Sequence, residues 1–251
     1  METFLYIIIF TYGIIIGSFL NVLIYRIPKK EDFTFTRSHC MNCGYQLQWF
    51  DLIPLFSYIV LKGRCRKCGE KISLQYPFIE ALNGILYVII FVRVGFCADG
   101  ILYCLAASAM LALSIIDLRT FEIPFGFNVF IACLGIIMLA LHMRQWQQYV
   151  IGFFAVSLCL YGLVVLSNGR AIGMGDVKLM AASGLLIGWQ KNILAFFLAC
   201  IVGSVIHLIR MKVTKADHVL AMGPYLSIGI YISILFGDEM IQWYVHGVMG
   251  L

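Results

Sequence analysis

Asp117 and Asp176 are acidic residues set at the edges of long apolar stretches. One lies in Ile115-Ile116-Asp117-Leu118-Arg119-Thr120-Phe121-Glu122-Ile123-Pro124 and the other in Gly173-Met174-Gly175-Asp176-Val177-Lys178-Leu179. A carboxylate at membrane depth costs roughly 2.5–3.5 kcal/mol on insertion scales, so it is rarely idle. Two carboxyls held close together tend to share one proton. The charged member can then act as base on a water, and the protonated member can polarise a carbonyl and protonate a leaving amine. Such a pair could hydrolyse a peptide bond. The residues alone leave other roles open: Asp117 as a helix-end residue paired with Arg119, Asp176 as an N-cap, or both as proton relays in a transporter.

Gly173 and Gly175 flank the second acid and allow close approach of an extended backbone. Lys178 follows two residues later and is read first as an interfacial lysine. A second constellation is Cys40-Met41-Asn42-Cys43 and Cys65-Arg66-Lys67-Cys68, a C-x2-C pair repeated after 21 residues. Each pair is followed by a glycine, Gly44 or Gly69, which permits a tight turn. Four thiolates at this spacing suit a structural zinc. All four positions would then be sulfur, which leaves no open site for metal catalysis, and there is no H-E-x-x-H. Two disulfides are the alternative, disfavoured on the cytosolic side. His39 adjoins the cluster, but the set is complete without it.

These residues must be positioned by membrane helices. Of 251 residues, 62% are hydrophobic and 12% charged, against ~45–50% and ~25% in a soluble domain. Apolar runs predict an all-α, polytopic membrane bundle of about eight spans: 4–25, 78–92, 101–117, 126–142, 149–167, 177–189, 193–209 and 223–237. The first run is too long for a cleavable signal and has no basic region before it. With segment 26–77 inside, fifteen of the eighteen basic residues fall on the inner side, Lys215 among them. Only Arg93, Arg144 and Lys191 fall outside, as the positive-inside rule requires. Both acids then lie at inner span ends. The net charge of +5 is this bias rather than a nucleic-acid footprint. His142, His207, His218 and His246 sit near span ends and read as interfacial. The expected organisation is a first span (1–25), a cytosolic zinc-binding segment (26–77) and a transmembrane catalytic domain (78–251). Gly13 and Gly17 form a small-xxx-small packing pair. Asn21, Arg26 and Glu80 are polar groups at span ends, each with a structural and a binding reading.

At these residues the chain resembles the type IV prepilin peptidases, bifunctional leader peptidases and N-methyltransferases among the intramembrane aspartic proteases. The segment Gly17-Ser18-Phe19-Leu20-Asn21-Val22-Leu23-Ile24-Tyr25-Arg26-Ile27-Pro28 is similar to the family's opening motif. The four cysteines, Gly63-Arg64-Cys65-Arg66 and Tyr76-Pro77-Phe78-Ile79-Glu80 follow its pattern. Asp117 matches the first catalytic aspartate, Asp176 the Gly-x-Gly-Asp aspartate, and Gly223-Pro224-Tyr225 a late Gly-Pro-aromatic motif. Met41, Leu52 and Phe125 depart from it. The resemblance implies cleavage of the basic leader of prepilin or pseudopilin precursors after a glycine, on the cytosolic face of the bacterial inner membrane. It also implies methylation of the new N-terminus with S-adenosylmethionine. Gly173, Gly175, Lys178, Gly223 and Pro224 are candidates for the substrate groove. No motif locates the methyl donor. A proton-coupled transporter and a noncatalytic zinc-bearing scaffold remain the alternative functions.

Overall fold

A computed structural model describes residues 2–170, 172–214 and 220–247. Lys215 and His218 lie outside the described residues. All eight apolar runs fall on helices, and among the described residues there is no strand beyond two isolated bridges. The chain divides into two compact units, Met1–Phe96 and Cys97–Leu251.

The first unit pairs α1 (Glu2–Lys29) with α3 (Gln75–Val94). The small-residue spacing on α1 has the expected use. A Cβ on Gly13 would fall 2.6 Å from the Cα of Gly84, and one on Gly17 2.8 Å from the Cα of Glu80. The helices therefore meet backbone to backbone, the packing small residues permit in lipid. Asn83 fastens the contact by donating to the carbonyl of Gly13 at 2.7 Å. Between these helices lies the polar segment, with a 3-10 turn (Trp49–Leu52) and the short α2 (Phe56–Val60).

The second unit contains α4 (Ala98–Thr120), α5 (Phe125–Leu141), α6 (Trp146–Ala155), α7 (Ser157–Leu166), α8 (Met174–Ile187), α9 (Trp189–Thr214) and α10 (Gly223–Gly247). The run expected as one span at 149–167 is broken at Val156. There the Ser157 hydroxyl donates back to the Phe153 carbonyl, a bond that bends helices. Among the described residues, five segments are long and apolar enough to cross a membrane: Thr3–Lys29, Gln75–Val94, Ala98–Thr120, Met143–Leu166 and Trp189–Lys212. Phe125–Leu141 is apolar but shorter.

The 14-residue α8 is short because it is enclosed. It packs against α5, α6, α7, α9 and α10, and eight of its residues are buried. Its middle is held by a polar knot. Ser183 donates to the Asn192 side chain at 2.9 Å, and Asn192 donates to the carbonyls of Gly152 and Met180 at 3.2 and 3.0 Å. The knot requires α6 and α8 to touch. A Cβ on Gly184 would fall 2.0 Å from the Gly152 carbonyl oxygen. Backbone cannot yield as a side chain can, so Gly184→Ala is expected to cost at least the ~1–3 kcal/mol of an overpacked core. A lowered thermal midpoint in detergent would report it, and an unchanged midpoint would refute this contact.

Candidate active site and cysteine cluster

Asp117 sits in the last turn of α4, where only 4% of its surface is exposed. The helix stops three residues later, and Phe121 closes it in the left-handed conformation at φ 54°. The chain then runs through Glu122 and Ile123 to Pro124, which caps the start of α5. A carboxylate this deep needs a donor. It accepts from the backbone N–H of Gly223 at 2.8 Å. The position needs glycine, because a Cβ there would lie 2.7 Å from Asp117 Oδ2. Pro224, next in α10, is buried.

Asp176 lies in the first turn of α8. The N-cap is Gly173 rather than Asp176, which stands three residues further in. Its carboxylate reaches back to the Gly173 backbone, the stabilising arrangement for an acid at a helix start. Gly175 lets the turn approach the preceding loop, since a Cβ there would meet the Cβ of Ile123 at 3.0 Å.

Both acids line one cavity of about 290 Å³, together with Phe121, Glu122, Ile123, Gly173, Met174 and Gly175. Of the groove candidates, Gly173 and Gly175 line it. Gly223 touches it only through Asp117. Lys178 is exposed, with its ammonium 4.9 Å from the centre of the Phe125 ring. Two residues were missed in the sequence. Glu122 adds a third carboxyl to the wall. Asn128, buried on α5, donates to the Gly175 carbonyl at 3.5 Å and so ties α5 to the turn bearing Asp176. The Gly223 N–H carries no side-chain signal at all. For Asn128 the signal was a lone amide one turn after Pro124 in an apolar helix.

The four cysteines converge. Their sulfurs all lie within 4.8 Å of one another, with Cys40–Cys68 at 3.8 Å and Cys43–Cys65 at 4.0 Å. A tetrahedral zinc with sulfur at 2.3 Å sets its ligands about 3.8 Å apart. The two C-x2-C pairs fold as matching knuckles. Gly44 N–H donates to the Cys40 carbonyl and Gly69 N–H to the Cys65 carbonyl, each at 2.9 Å, with both glycines at positive φ. Backbone N–H groups of Cys43 and Asn42 pull the Cys40 thiol down to about 6. The Glu70 N–H pulls on Cys68 likewise, but burial and hydrogen bonds from the other sulfurs push it up to about 11. Sulfurs this close resist ionising together unless a cation neutralises them, so the donor set fits a metal ion. Asp51 joins the knuckles, accepting from Tyr45 at 3.2 Å and from Arg66 at 2.7 Å. His39 turns to the Arg37 carbonyl and stays outside the cluster.

Fold and sites together describe an all-helical membrane protein with paired acids on one cavity and a four-cysteine cluster. Comparison with known proteins agrees. The model described as Bacterial Peptidase A24 N-terminal domain matches residues 11–94, and that of the Type IV leader peptidase family matches 104–208. The prepilin leader peptidase/N-methyltransferase of Pseudomonas putida is 27% identical, over 91% of this chain and 89% of its own. That of Aeromonas salmonicida (strain A449) is 29% identical over 96% and 94%. That of Legionella pneumophila is 27% identical over 96% and 95%. No solved structure matches the chain. The chain belongs to the type IV leader peptidase family, and it is a peptidase with methyltransferase activity.

Gly223→Ala is the sharpest test of the local geometry. It pushes on Asp117 while replacing no residue that lines the cavity. Misplacing a reacting group by about 1 Å costs on the order of 100-fold in rate. Peptidase activity is expected to fall at least tenfold with helicity unchanged by circular dichroism; full activity would show that Asp117 tolerates displacement.

Proposed function

We propose that this protein is an intramembrane aspartic endopeptidase that removes the basic leader from type IV prepilins or pseudopilins after a glycine, and then methylates the new N-terminus with S-adenosylmethionine. The observation that carries the reading is the pair Asp117 and Asp176 on one cavity, drawn from helix ends 59 residues apart in sequence.

In this reading the ionised member of the pair takes a proton from water, and the hydroxide formed attacks the scissile carbonyl carbon. The protonated member donates to the carbonyl oxygen as charge develops there. Collapse breaks the C–N bond, its electron pair stays on nitrogen, and a carboxyl proton goes to the leaving amine. Gly173 and Gly175 leave space for the extended substrate backbone. Methyl transfer follows at the amine so released: its lone pair takes the methyl carbon, the C–S pair stays on sulfur, and the amine proton passes to solvent.

The enzyme is placed in the bacterial inner membrane with about eight crossings and with 26–77 and both acids toward the cytosol. The excess of basic residues on that side supports the orientation. A basic leader would remain on that face. The four cysteines hold a structural zinc, and the partners are the pilin precursors and the lipid bilayer. Residues 78–251 include the acids that carry the peptidase, and 26–77 forms the zinc-binding segment.

Three predictions test this reading. Intact mass of a prepilin co-expressed with the wild type is expected to show loss of the leader and one added methyl. Asp117→Asn and Asp176→Asn are each expected to slow cleavage by about 10²–10⁴-fold, the usual worth of a general acid or base, with the protein still inserted. Full cleavage by either variant would remove that residue from the mechanism. Replacing Cys40 and Cys43 by serine should abolish the zinc found by elemental analysis and expose 26–77 to protease. Unaltered metal content would refute the cluster.

A further inference from the structure

We propose that residues 49–60 of the N-terminal unit form an interfacial anchor, an apolar face seated in the boundary between headgroups and acyl chains of an anionic bilayer. The partner is the lipid surface, and the anchor is independent of the reactions assigned above.

The short helix α2 is inside out for a segment surrounded by water. Its inner face carries Ser57 and Tyr58. The Tyr58 hydroxyl donates to the Ile72 carbonyl at 3.4 Å, and a Cβ on Gly63 would fall 2.7 Å from that hydroxyl. Its outer face is apolar. Phe56, Ile59 and Val60 stand at the i, i+3, i+4 spacing of one helix face, and all three are exposed, Ile59 to 72%. Trp49, in the preceding 3-10 turn, is 76% exposed, and Leu52 and Ile53 between the two elements are exposed as well. Large exposed apolar patches mark contacts with protein or with membrane.

Charge favours the membrane. Asp51 is the one acid in residues 49–64. Its side chain is 2% exposed and is held by Arg66 at 2.7 Å. The patch therefore shows no free carboxylate to its surroundings, while Lys62 and Arg64 follow it and are exposed. Aromatic and aliphatic residues with basic neighbours are the composition of a segment that lies on anionic lipid, and tryptophan is enriched at that boundary.

The level of the anchor follows from the register of α1 and α3. Gly13 meets Gly84 and Gly17 meets Glu80 across the helix contact, and Asn21 donates to the Tyr76 carbonyl at 3.2 Å. Both helices are long and apolar enough to cross a membrane. Glu80 stands five residues inside the start of α3, which is about 7 Å along the helix axis. Its buried carboxylate accepts from the Leu55 N–H at 2.8 Å. That bond fixes the N-cap of α2 beside the two helices, at a level below the end of α3. Leu55 is held there at φ 59°, a left-handed conformation that is costly for a bulky residue and persists when its surroundings impose it. Interfacial helices bury their apolar faces roughly 5–10 Å into the headgroup and acyl boundary, which is the level at which Glu80 holds this one.

The test is quenching of Trp49 fluorescence in the full-length protein, reconstituted in vesicles of phosphatidylcholine and phosphatidylglycerol. Trp146→Phe, Trp189→Phe and Trp243→Phe remove the other three tryptophans. Emission is expected to be quenched by phospholipids brominated near the top of the acyl chain and to be protected from acrylamide in the water. Ile59→Glu in the same background is expected to weaken the lipid quenching about threefold or more, because a carboxylate opposes both the apolar boundary and the anionic surface. Quenching by acrylamide and not by lipid would place the face in water and overturn the anchor. Protection from both quenchers would show that protein covers the face and overturn it equally. Lipid quenching unchanged by Ile59→Glu would take α2 out of the contact and refute the anchor as drawn. Photolabelling of wild type by a diazirine-bearing phospholipid covers the case of tryptophan replacements that disturb folding. Label on residues 49–60 supports the anchor, and label on the apolar spans with none on 49–60 overturns it.

Discussion

The hydrogen bond from the Gly223 N–H to Asp117 is the constraint around which the second unit is arranged. Asp117 is buried at the end of α4, and Gly223 opens α10, 106 residues later. The first N–H groups of a helix have no partner within it and carry its positive end. The bond thus satisfies a carboxyl and a helix start at once, provided nothing stands between them. Glycine meets that condition. Its consequence runs outward through the bundle. α10 lies on α4 and α9, and a Cβ on Gly229 would fall 2.2 Å from the Ala195 carbonyl. α9 in turn supplies Asn192, whose amide holds α6 and α8 together. A continuous series of backbone-close contacts leads from the first acid to the helix that bears the second.

That series explains the form of α8. A lone 14-residue helix is too short to span ~30 Å of hydrocarbon. Surrounded by five neighbours, it needs no such length and can begin at the level of the cavity. Its first turn then delivers Asp176 and two glycines to the cavity that α4 reaches with Asp117. Asn128 steadies this turn from α5. Rigid helices thus set the acids and the intervening loops shape the space between them, the division expected of a site that must hold its geometry.

What could be read in the sequence was whatever carries its cost in the residue type. An aspartate in an apolar run is conspicuous because burying it is expensive, and paired C-x2-C spacing because thiols so placed have few other uses. Gly13 and Gly17 were legible from their four-residue interval. The break at Val156 was not, because the bond that causes it comes from a serine common in apolar helices. The Gly223 N–H could not be read at all, since every glycine has one and only the fold decides where it points. The alternative of Asp176 as a cap stayed open in the sequence because capping residues and first-turn acids occupy the same few positions. A cavity of about 750 Å³ in the N-terminal unit was hidden for a related reason. Its five carboxyls are spread over fifty residues whose composition is basic, and only folding gathers them.

The same segment therefore carries two charge populations with different tasks. Lys29, Lys30, Arg37, Lys62, Arg64 and Lys67 are exposed and none of them lines the recess. Facing outward, they suit an anionic membrane surface, where each basic residue nearby is worth about 1 kcal/mol. The acids line the cavity, and two of them, Glu80 and Asp51, are shielded from water there. If the two populations mixed, ion pairs would consume both, as Arg66 already consumes Asp51. The knuckles prevent it. By fixing residues 40–45 and 65–70 as turns around four sulfurs, they leave little freedom for lysines on the outer surface to fold back onto carboxyls inside. A metal ion held by the four sulfurs would fix these turns and so keep the lysines of the outer surface apart from the acids that line the cavity.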